Sequence, residues 1–491
     1  MAKQTVWYGA STIVNRMLSY LLTPLLTSVF AAGDFGKITT LFAIAAFMNI
    51  LFSFGMETAY FRFLSSEDES KVYNTTVFTI GISTIFFTLF FALMVHPIAA
   101  FIKLPDHPEY IWWVILIVVF DTLAVLPFAK LRYSGRPVKF AFIKIIGIVI
   151  QLSLVVFFLF ICKNASVGSF WAHLYKPEIG VGYYIIANVI ASGVTLLLLS
   201  GELFQFRMKI DYPFFRSLIL YSLPLLIVGF GGMVNELIDR FVLLNIYPGS
   251  VDERYTQSGI YAANYKLAII IALFIQAFRL GAEPFFFKQS TKADAQHVYA
   301  RVMKFFVITC CSCFLLVVLF LDYWKYFMGN KHPEYWTGLQ VVPLLLVAKI
   351  FLGIYNNLSV WYKLTNRNLT GAWITMGGVV ITVLLNFLLV PSMGYIGCAI
   401  ATLFCYGFMM ISSYLLGQKY YPVPYNVKKI FTYIITVVVF YLLHRQIISF
   451  TEHIFYRTIS GMFFGCCFVI LVVINEKNEL RQLPLVGKYF R

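Results

Sequence analysis

Along this chain, apolar residues run in long blocks separated by short polar or Pro/Gly-containing breaks. About fourteen of these blocks reach the roughly 20 mostly apolar residues that a helix needs to cross a bilayer. They begin near Trp7, Ile38, Thr75, Tyr110, Val138, Gly180, Ser217, Ser258, Val302, Gln340, Thr370, Gly394, Val427 and Phe455. The pattern predicts an all-α polytopic membrane protein with about 14 transmembrane helices. The first block, from about Trp7 to Ala31, is too long for a signal-peptide core and carries Asn15 and Arg16, so it is expected to remain as the first span. The connections between blocks are short, which places any function among the helices rather than in an external domain.

Composition agrees with this reading. Of 491 residues, 60% are hydrophobic and 12% charged, 50 are Phe, and the mean hydropathy is +0.80. A soluble multidomain enzyme, a disordered chain or a nucleic-acid-binding protein would need far more exposed polar sequence. The formal net charge of +16 would by itself suggest an anionic polymer as partner. With the N-terminus in the cytoplasm, however, 23 of the 38 Lys and Arg fall on the cytoplasmic side, 9 on the opposite side and six within spans. That asymmetry is the cytoplasmic excess of basic residues typical of membrane proteins, and it accounts for the charge with no nucleic acid involved. It also predicts that both termini are cytoplasmic. All eight cysteines lie in apolar runs without metal-ligand spacing, and read as packing residues.

The chain resembles itself. FGMETAYFR, from Phe54 to Arg62, returns at an offset of 226 as LGAEPFFFK, from Leu280 to Lys288, aligning Gly55 with Gly281, Glu57 with Glu283, Phe61 with Phe287 and Arg62 with Lys288. Arg132, Arg136 and Gly147 return at an offset of 231 as Lys363, Arg367 and Gly378, and Val14-Asn15 matches Val234-Asn235 at 220. Six spans per copy is an even number, so both copies enter the membrane in the same direction, as a parallel pseudo-repeat. The expected organisation is a six-helix lobe over 1–205, a second over 206–418, and an additional helix pair with a cytoplasmic tail over 419–491. Duplicated lobes commonly hold a substrate site, which favours a transporter.

Eleven ionisable residues fall within the spans: Glu57, Asp121, Glu236, Asp239 and Glu283 against Arg16, Lys144, Arg240, Lys266, Arg279 and Lys349. Each costs about 2.5–3.5 kcal/mol at mid-membrane on insertion scales, so such groups face cavities or partners. Glu236 with Arg240 and Arg279 with Glu283 are four apart, and each couple can neutralise itself on one helix face. Lys144 lies near the cytoplasmic end of its span and is expected to snorkel. Asn49, Ser53 and Glu57 form one polar stripe, and Gln276, Arg279 and Glu283 another. Pro284 is expected to bend its helix, and Pro24, Pro224 and Pro343 with the Gly229, Gly231 and Gly232 cluster suggest further bends. Guanidinium groups such as Arg16 and Arg240 could hold a pyrophosphate through paired hydrogen bonds, or be satisfied by backbone carbonyls and Asp121.

No HExxH, Walker-type loop, GxSxG elbow or Cys/His ligand spacing is present, so the sequence offers no recognisable hydrolytic, ATP-binding or zinc chemistry. The chain is therefore not expected to be an enzyme, and no cofactor is expected. Movement would draw on an ion gradient, the membrane potential or the substrate gradient, with H+ or Na+ as candidate coupling ions. Glu57, Asp239 and Glu283 are the candidate coupling or gating carboxylates.

The stretch NxxxDR from Asn235 to Arg240, YAANYKLA from Tyr261 to Ala268, FRLGAEPFFFKQ from Phe278 to Gln289 and KLTNRN from Lys363 to Asn368 resemble the polysaccharide transporter family. That family belongs to the multidrug/oligosaccharidyl-lipid/polysaccharide flippase superfamily. The resemblance implies two six-helix lobes plus two C-terminal helices, and alternating access carrying a polyprenyl-pyrophosphate-linked oligosaccharide across the bacterial inner membrane. It implies that Arg16, Arg240, Lys266 and Arg279, with Asn15 and Asn235, bind substrate. The near balance of acid and base within the spans departs from the cationic cavity of relatives. Membrane lipid and other polysaccharide-assembly membrane proteins are the further partners expected. The runner-up reading is a cation-coupled multidrug exporter of the same superfamily, and the third a membrane polymerase or ligase of lipid-linked sugars.

Overall fold

The computed structural model describes residues 17, 20–165, 169–207, 211–290, 292–451 and 453–481, and every regular element among them is a helix. In chain order these are α1 (Tyr20–Val29), α2 (Ala32–Ser53), α3 (Met56–Phe63), α4 (Glu69–Leu93), α5 (Val95–Phe101), α6 (Pro108–Tyr133) and α7 (Pro137–Val156). Then come α8 (Phe170–His173), α9 (Gly182–Leu198), α10 (Ser200–Leu203), α11 (Tyr212–Ile246), α12 (Val251–Tyr265), α13 (Ile269–Gln289) and α14 (Ala295–Val318). The remainder are α15 (Leu321–Phe327), α16 (Val342–Leu358), α17 (Val360–Leu364), α18 (Asn368–Met393), α19 (Tyr395–Tyr420), α20 (Val427–Ile448) and α21 (Ile454–Leu480).

Among the described residues, twelve helical segments are long and apolar enough to cross a membrane, and two shorter apolar helices, Tyr20–Val29 and Gly182–Leu198, stand where the first and sixth spans were expected. The protein is a multi-pass membrane protein. Local signals set the helix starts. Asp68, Asp211 and Asn426 each accept a backbone N–H from the first turn of α4, α11 and α20. Proline occupies the first turn of α6, α7, α11 and α16, where a missing N–H removes no helical bond. Pro343 is one of these and opens α16, whereas Pro224 lies inside a single 35-residue α11.

The chain divides into two compact units. Unit 1 comprises Met1–Ala263, Lys331–Glu334 and Val379–Ala401; unit 2 comprises Asn264–Asn330, Tyr335–Gly378 and Thr402–Arg491. In unit 1, α6 packs on α2, α4 and α9, α9 packs also on α7, and α11 packs on α2. In unit 2, α14 packs on α13, α16, α20 and α21, and α20 pairs with α21. Lys304 of α14 reaches Glu476 at 2.6 Å and Glu479 at 2.5 Å, while Lys429 and the Tyr433 hydroxyl close on Glu476 at 2.7 and 2.6 Å. Near the other end of α21, Arg457 bonds Asp322 of α15 at 3.1 Å. The C-terminal helix pair is thus held to α14 and α15 at both of its ends.

The pseudo-repeat has a backbone counterpart. Shifted by 226, α4 and α5 fall on α14 and α15, and Lys103, at φ 62°, falls on Gly329, at φ 89°. Shifted by 231, the turn after α6 falls on the turn after α17: Gly135 (φ 64°) and Asn366 (φ 56°) both adopt the left-handed conformation. The next N–H then closes on a carbonyl five residues back, from Arg136 to Leu131 at 3.0 Å and from Arg367 to Tyr362 at 2.7 Å, the bonding of a left-handed helix C-cap. The copies differ at the first matched block. Phe54 (φ 48°) and Gly55 (φ 68°) break the helix between α2 and α3, whereas α13 runs unbroken from Ile269 to Gln289, through Gly281 and past residue 284.

Candidate functional site

Three helices of unit 1 carry residues at spacings of three and four that place polar groups on one face of each. On α6 these are Asp121, Ala124, Val125, Phe128 and Arg132; on α7, Phe140, Lys144, Gly147, Ile148 and Gln151; on α9, Asn188, Ala191, Ser192 and Thr195. Because α9 lies against both α6 and α7, the three faces meet. With Asn49 of α2 and Glu57 of α3 they line an open-sided cavity of about 640 Å3. Gly147 permits the approach of α7 to α9, since a Cβ there would sit 2.6 Å from Thr195 Oγ1. The Gln151 amide donates to Asn188 Oδ1 at 2.8 Å across the same seam.

The cavity holds one closed ion pair. The Arg132 guanidinium pairs with the Glu57 carboxylate and stands 5.0 Å from the Phe61 ring centre. Lys144 does not snorkel: it lines the cavity, its ammonium 4.1 Å from the centre of the Phe128 ring. Asp121 and Ser192 both open on the cavity. Two carboxylates and two cations give a formal sum of zero.

The other candidate residues fall in several places. In unit 1, Asn235, Asp239 and Arg240 are buried on α11, and the Arg240 guanidinium bonds the Asp239 carboxylate at 3.2 Å and the Glu236 carbonyl at 3.3 Å. Glu57 alone of the candidate residues lines the unit 1 cavity among the described residues. In unit 2, Lys266 is half-buried in the short turn between α12 and α13. Arg279 lines a cavity of about 20 Å3 with Asn356, Asn357, Ser359 and Lys363. Asn15, Arg16 and the Glu283 side chain lie outside the described residues.

The unit 2 cavity repeats only part of the unit 1 lining, since it is formed by α13, α14, α16 and α17. At an offset of 231, Arg132 becomes Lys363, while Asp121 becomes Leu352 and Lys144 becomes Thr375. The polar wall of α9 escaped the sequence reading. Asn188, Ser192 and Thr195 sit four and three apart, a recoverable signal, but isolated among aliphatic neighbours each is an ordinary tolerated polar residue in a spanning helix. In the sequence Arg132 reads as a cytoplasmic charge and a repeat position, not as a site residue.

No curated protein sequence matches the chain at a significant level. Among solved structures, the fold is similar to the lipid II flippase MurJ in an inward closed conformation, with a TM-score of 0.70 and 14% identity over 97% of this chain and 100% of that one. It is also similar to an inward-facing multidrug resistance MATE family transporter of the MOP superfamily, with a TM-score of 0.58 and 14% identity over 85% of this chain and 94% of that one. A mutant of the Vibrio cholerae MATE transporter VcmN gives a TM-score of 0.56 and 13% identity over 85% and 94%. At such identities these likenesses establish the fold. The family follows from the sequence itself: the model of the polysaccharide biosynthesis protein family matches residues 1–290, and the chain belongs to that family.

Proposed function

We propose that this protein is a flippase that moves polyprenyl-pyrophosphate-linked oligosaccharide units across the bacterial inner membrane by alternating access, in the assembly of O-antigen, capsule or exopolysaccharide. The observation that carries the reading is a roomy polar cavity built from spanning helices in a chain of the polysaccharide biosynthesis family. A saccharide headgroup cannot cross hydrocarbon without replacements for its hydrogen bonds to water, and the amides and hydroxyls that α7 and α9 turn into the cavity, with the charged groups of α6 and α7, can supply them. In this reading Arg16, Arg240, Lys266 and Arg279, with Asn15 and Asn235, serve the pyrophosphate-linked substrate. Glu57, Asp239 and Glu283 serve coupling to H+ or Na+, or gating. Both termini are cytoplasmic.

The test is reconstitution into vesicles with defined lipid-linked oligosaccharides, scoring which become exposed on the opposite leaflet. Exposure only in the presence of protein supports the reading. A complete lack of exposure with every lipid-linked oligosaccharide refutes it, and lengthening of the glycans by the purified protein would make the chain a polymerase. A second reading, export of amphipathic drugs, is favoured by the likeness to MATE transporters. It predicts a deletion strain with altered drug susceptibility and unchanged polysaccharide.

A further inference from the structure

The pocket that Arg279 lines in unit 2 carries a different balance of charge from the unit 1 cavity. Among its described lining residues are two cations, Arg279 and Lys363, and no carboxylate, whereas Glu57 and Asp121 accompany Arg132 and Lys144 in unit 1. Glu283, four residues from Arg279 on α13, has its side chain outside the described residues. The lining also holds an unmet donor. Asn357 is 8% exposed, and its amide nitrogen is buried with no hydrogen-bond partner in the protein. A buried donor without an acceptor is costly to keep, so it calls for a reason. The fold does not supply one. At the offset of 231 that aligns the turns after α6 and α17, Asn357 falls on Leu126 and Asn356 on Val125, and Leu126 is a core residue of unit 1, 1% exposed. The position takes an apolar side chain in one copy and an amide in the other.

From this donor set we propose that the unit 2 pocket binds a phosphoryl group, and that Asn357 and Lys363 hold it together with Arg279. The inference rests on the flippase reading above and adds to it two residues and a place within unit 2. Guanidinium, ammonium and amide N–H groups all donate, and a phosphoryl oxygen accepts from each through charge-assisted bonds. The Ser359 hydroxyl takes no part, since it donates to the Asn356 carbonyl at 2.6 Å. The remaining walls are aromatic: Phe278, Phe286 and Phe306 line the pocket, with Phe306 and Phe278 ring centres 4.7 Å apart. Gly353 admits Phe306 to α16, since a Cβ there would sit 2.7 Å from the Phe306 Cζ. Such walls exclude water and strengthen the attraction between the cations and an anion. Size decides how much of a ligand enters. At about 20 Å3 the pocket exceeds the ~10–15 Å3 that one water needs but falls far below the ~300–1,000 Å3 of sites for larger molecules, so it takes a small anionic end group and no sugar.

The experiment uses the full-length purified protein in phosphatidylcholine nanodiscs, titrated with a short-chain prenyl pyrophosphate and with the matching prenyl alcohol. Asn357→Leu and, separately, Lys363→Met are each expected to weaken prenyl pyrophosphate binding by about tenfold or more, the effect of one hydrogen bond to a charged group. Lys363→Arg should keep the affinity, and binding of the alcohol should be the same in all variants. Without ligand, Asn357→Leu should melt at or above the wild-type temperature, because it removes a donor that has no acceptor in the protein. Discs made with phosphatidylglycerol separate two sources of the phosphoryl group. Unchanged wild-type affinity there assigns the pocket to the prenyl pyrophosphate, and affinity lost in wild type but not further in the variants assigns it to a membrane lipid headgroup. Wild-type affinity in both Asn357→Leu and Lys363→Met overturns the inference and leaves the flippase reading standing. So does an Asn357→Leu protein that melts well below wild type, if Lys363→Met binds normally, since the amide would then be structural. No binding of prenyl pyrophosphate by wild type overturns the inference whatever the vesicle assay shows, and the flippase reading falls only if that assay also fails.

Discussion

Gly36 of α2 and Gly259 of α12, both in unit 1, let two helices touch backbone to backbone. A Cβ on Gly259 would sit 1.8 Å from the Ala32 carbonyl oxygen and 2.9 Å from the Gly36 nitrogen, and a Cβ on Gly36 would sit 2.1 Å from the Tyr255 carbonyl oxygen. Carbon and carbonyl oxygen meet without repulsion at about 3.3–3.6 Å, so Gly259→Ala is short by about 1.5 Å. The obstacle is main chain, which cannot rotate aside, and relief requires separating the helices along the whole contact. Overpacking of this kind costs about 1–3 kcal/mol and more when the backbone must move. The intrinsic preference of a helix for Ala over Gly returns about 1 kcal/mol. Gly259→Ala and Gly36→Ala should therefore each lose about 2 kcal/mol or more. Gly81→Ala and Gly232→Ala, where a Cβ meets nothing within 4 Å, should be neutral or gain. Apparent melting temperature in detergent, read by size-exclusion fluorescence across the four variants, decides the matter. If Gly259→Ala melts with Gly81→Ala, the close contact of α2 with α12 is not what holds this part of unit 1.

Three further outcomes follow from other parts of the molecule. Lys304→Met removes one of two lysines from the buried Glu476, and because Lys429 and Tyr433 remain, the loss should sit near the low end of the cost of breaking a buried pair, about 3 kcal/mol. Adding Glu476→Gln should recover part of it in a double-mutant cycle read by thermal unfolding; strictly additive losses would contradict the coupling. The Asp211 carboxyl is held below its ordinary value of 3.8, first by the Phe214 backbone N–H and then by Lys71. Its contribution to stability is accordingly complete above the unfolded value and fades as pH falls through the lowered folded one. The stability gap between wild type and Asp211→Asn should shrink on acidification, and a gap that widens would reverse the assignment. Arg16→Ala and Arg279→Ala should reduce transport in the vesicle assay while the protein remains folded and inserted, and wild-type transport by both would remove them from the site.

The helical class, the membrane setting and the duplication were legible in the sequence because each rests on local or periodic signals. Apolar block length marks the spans, and matched Gly and charged residues at offsets of 226 and 231 mark the copies. The turn after α6 shows how far this reaches: Arg132 and Arg136 match Lys363 and Arg367, and the same left-handed cap recurs at both places. The break at Phe54 and Gly55 was not legible, because the matching Gly281 sits inside an unbroken helix. What differs is tertiary: a Cβ at Gly55 would lie 3.3 Å from Leu225, whereas one at Gly281 meets nothing within 4 Å.

What the sequence by itself determined, then, is how much polar chemistry lies within the spans and on which helices. Which of it forms a site was decided only by tertiary packing. Lys144, Gln151, Asn188 and Ser192 look like scattered tolerated residues on two separate spans, and they become one wall because α9 lies against both α6 and α7. The pairing of Arg132 with Glu57 joins residues 75 positions apart. The physical reason is that helix periodicity fixes which residues share a face, but the partner that a face meets depends on long-range packing between helices. A group's charge becomes available or committed only once that partner is in place.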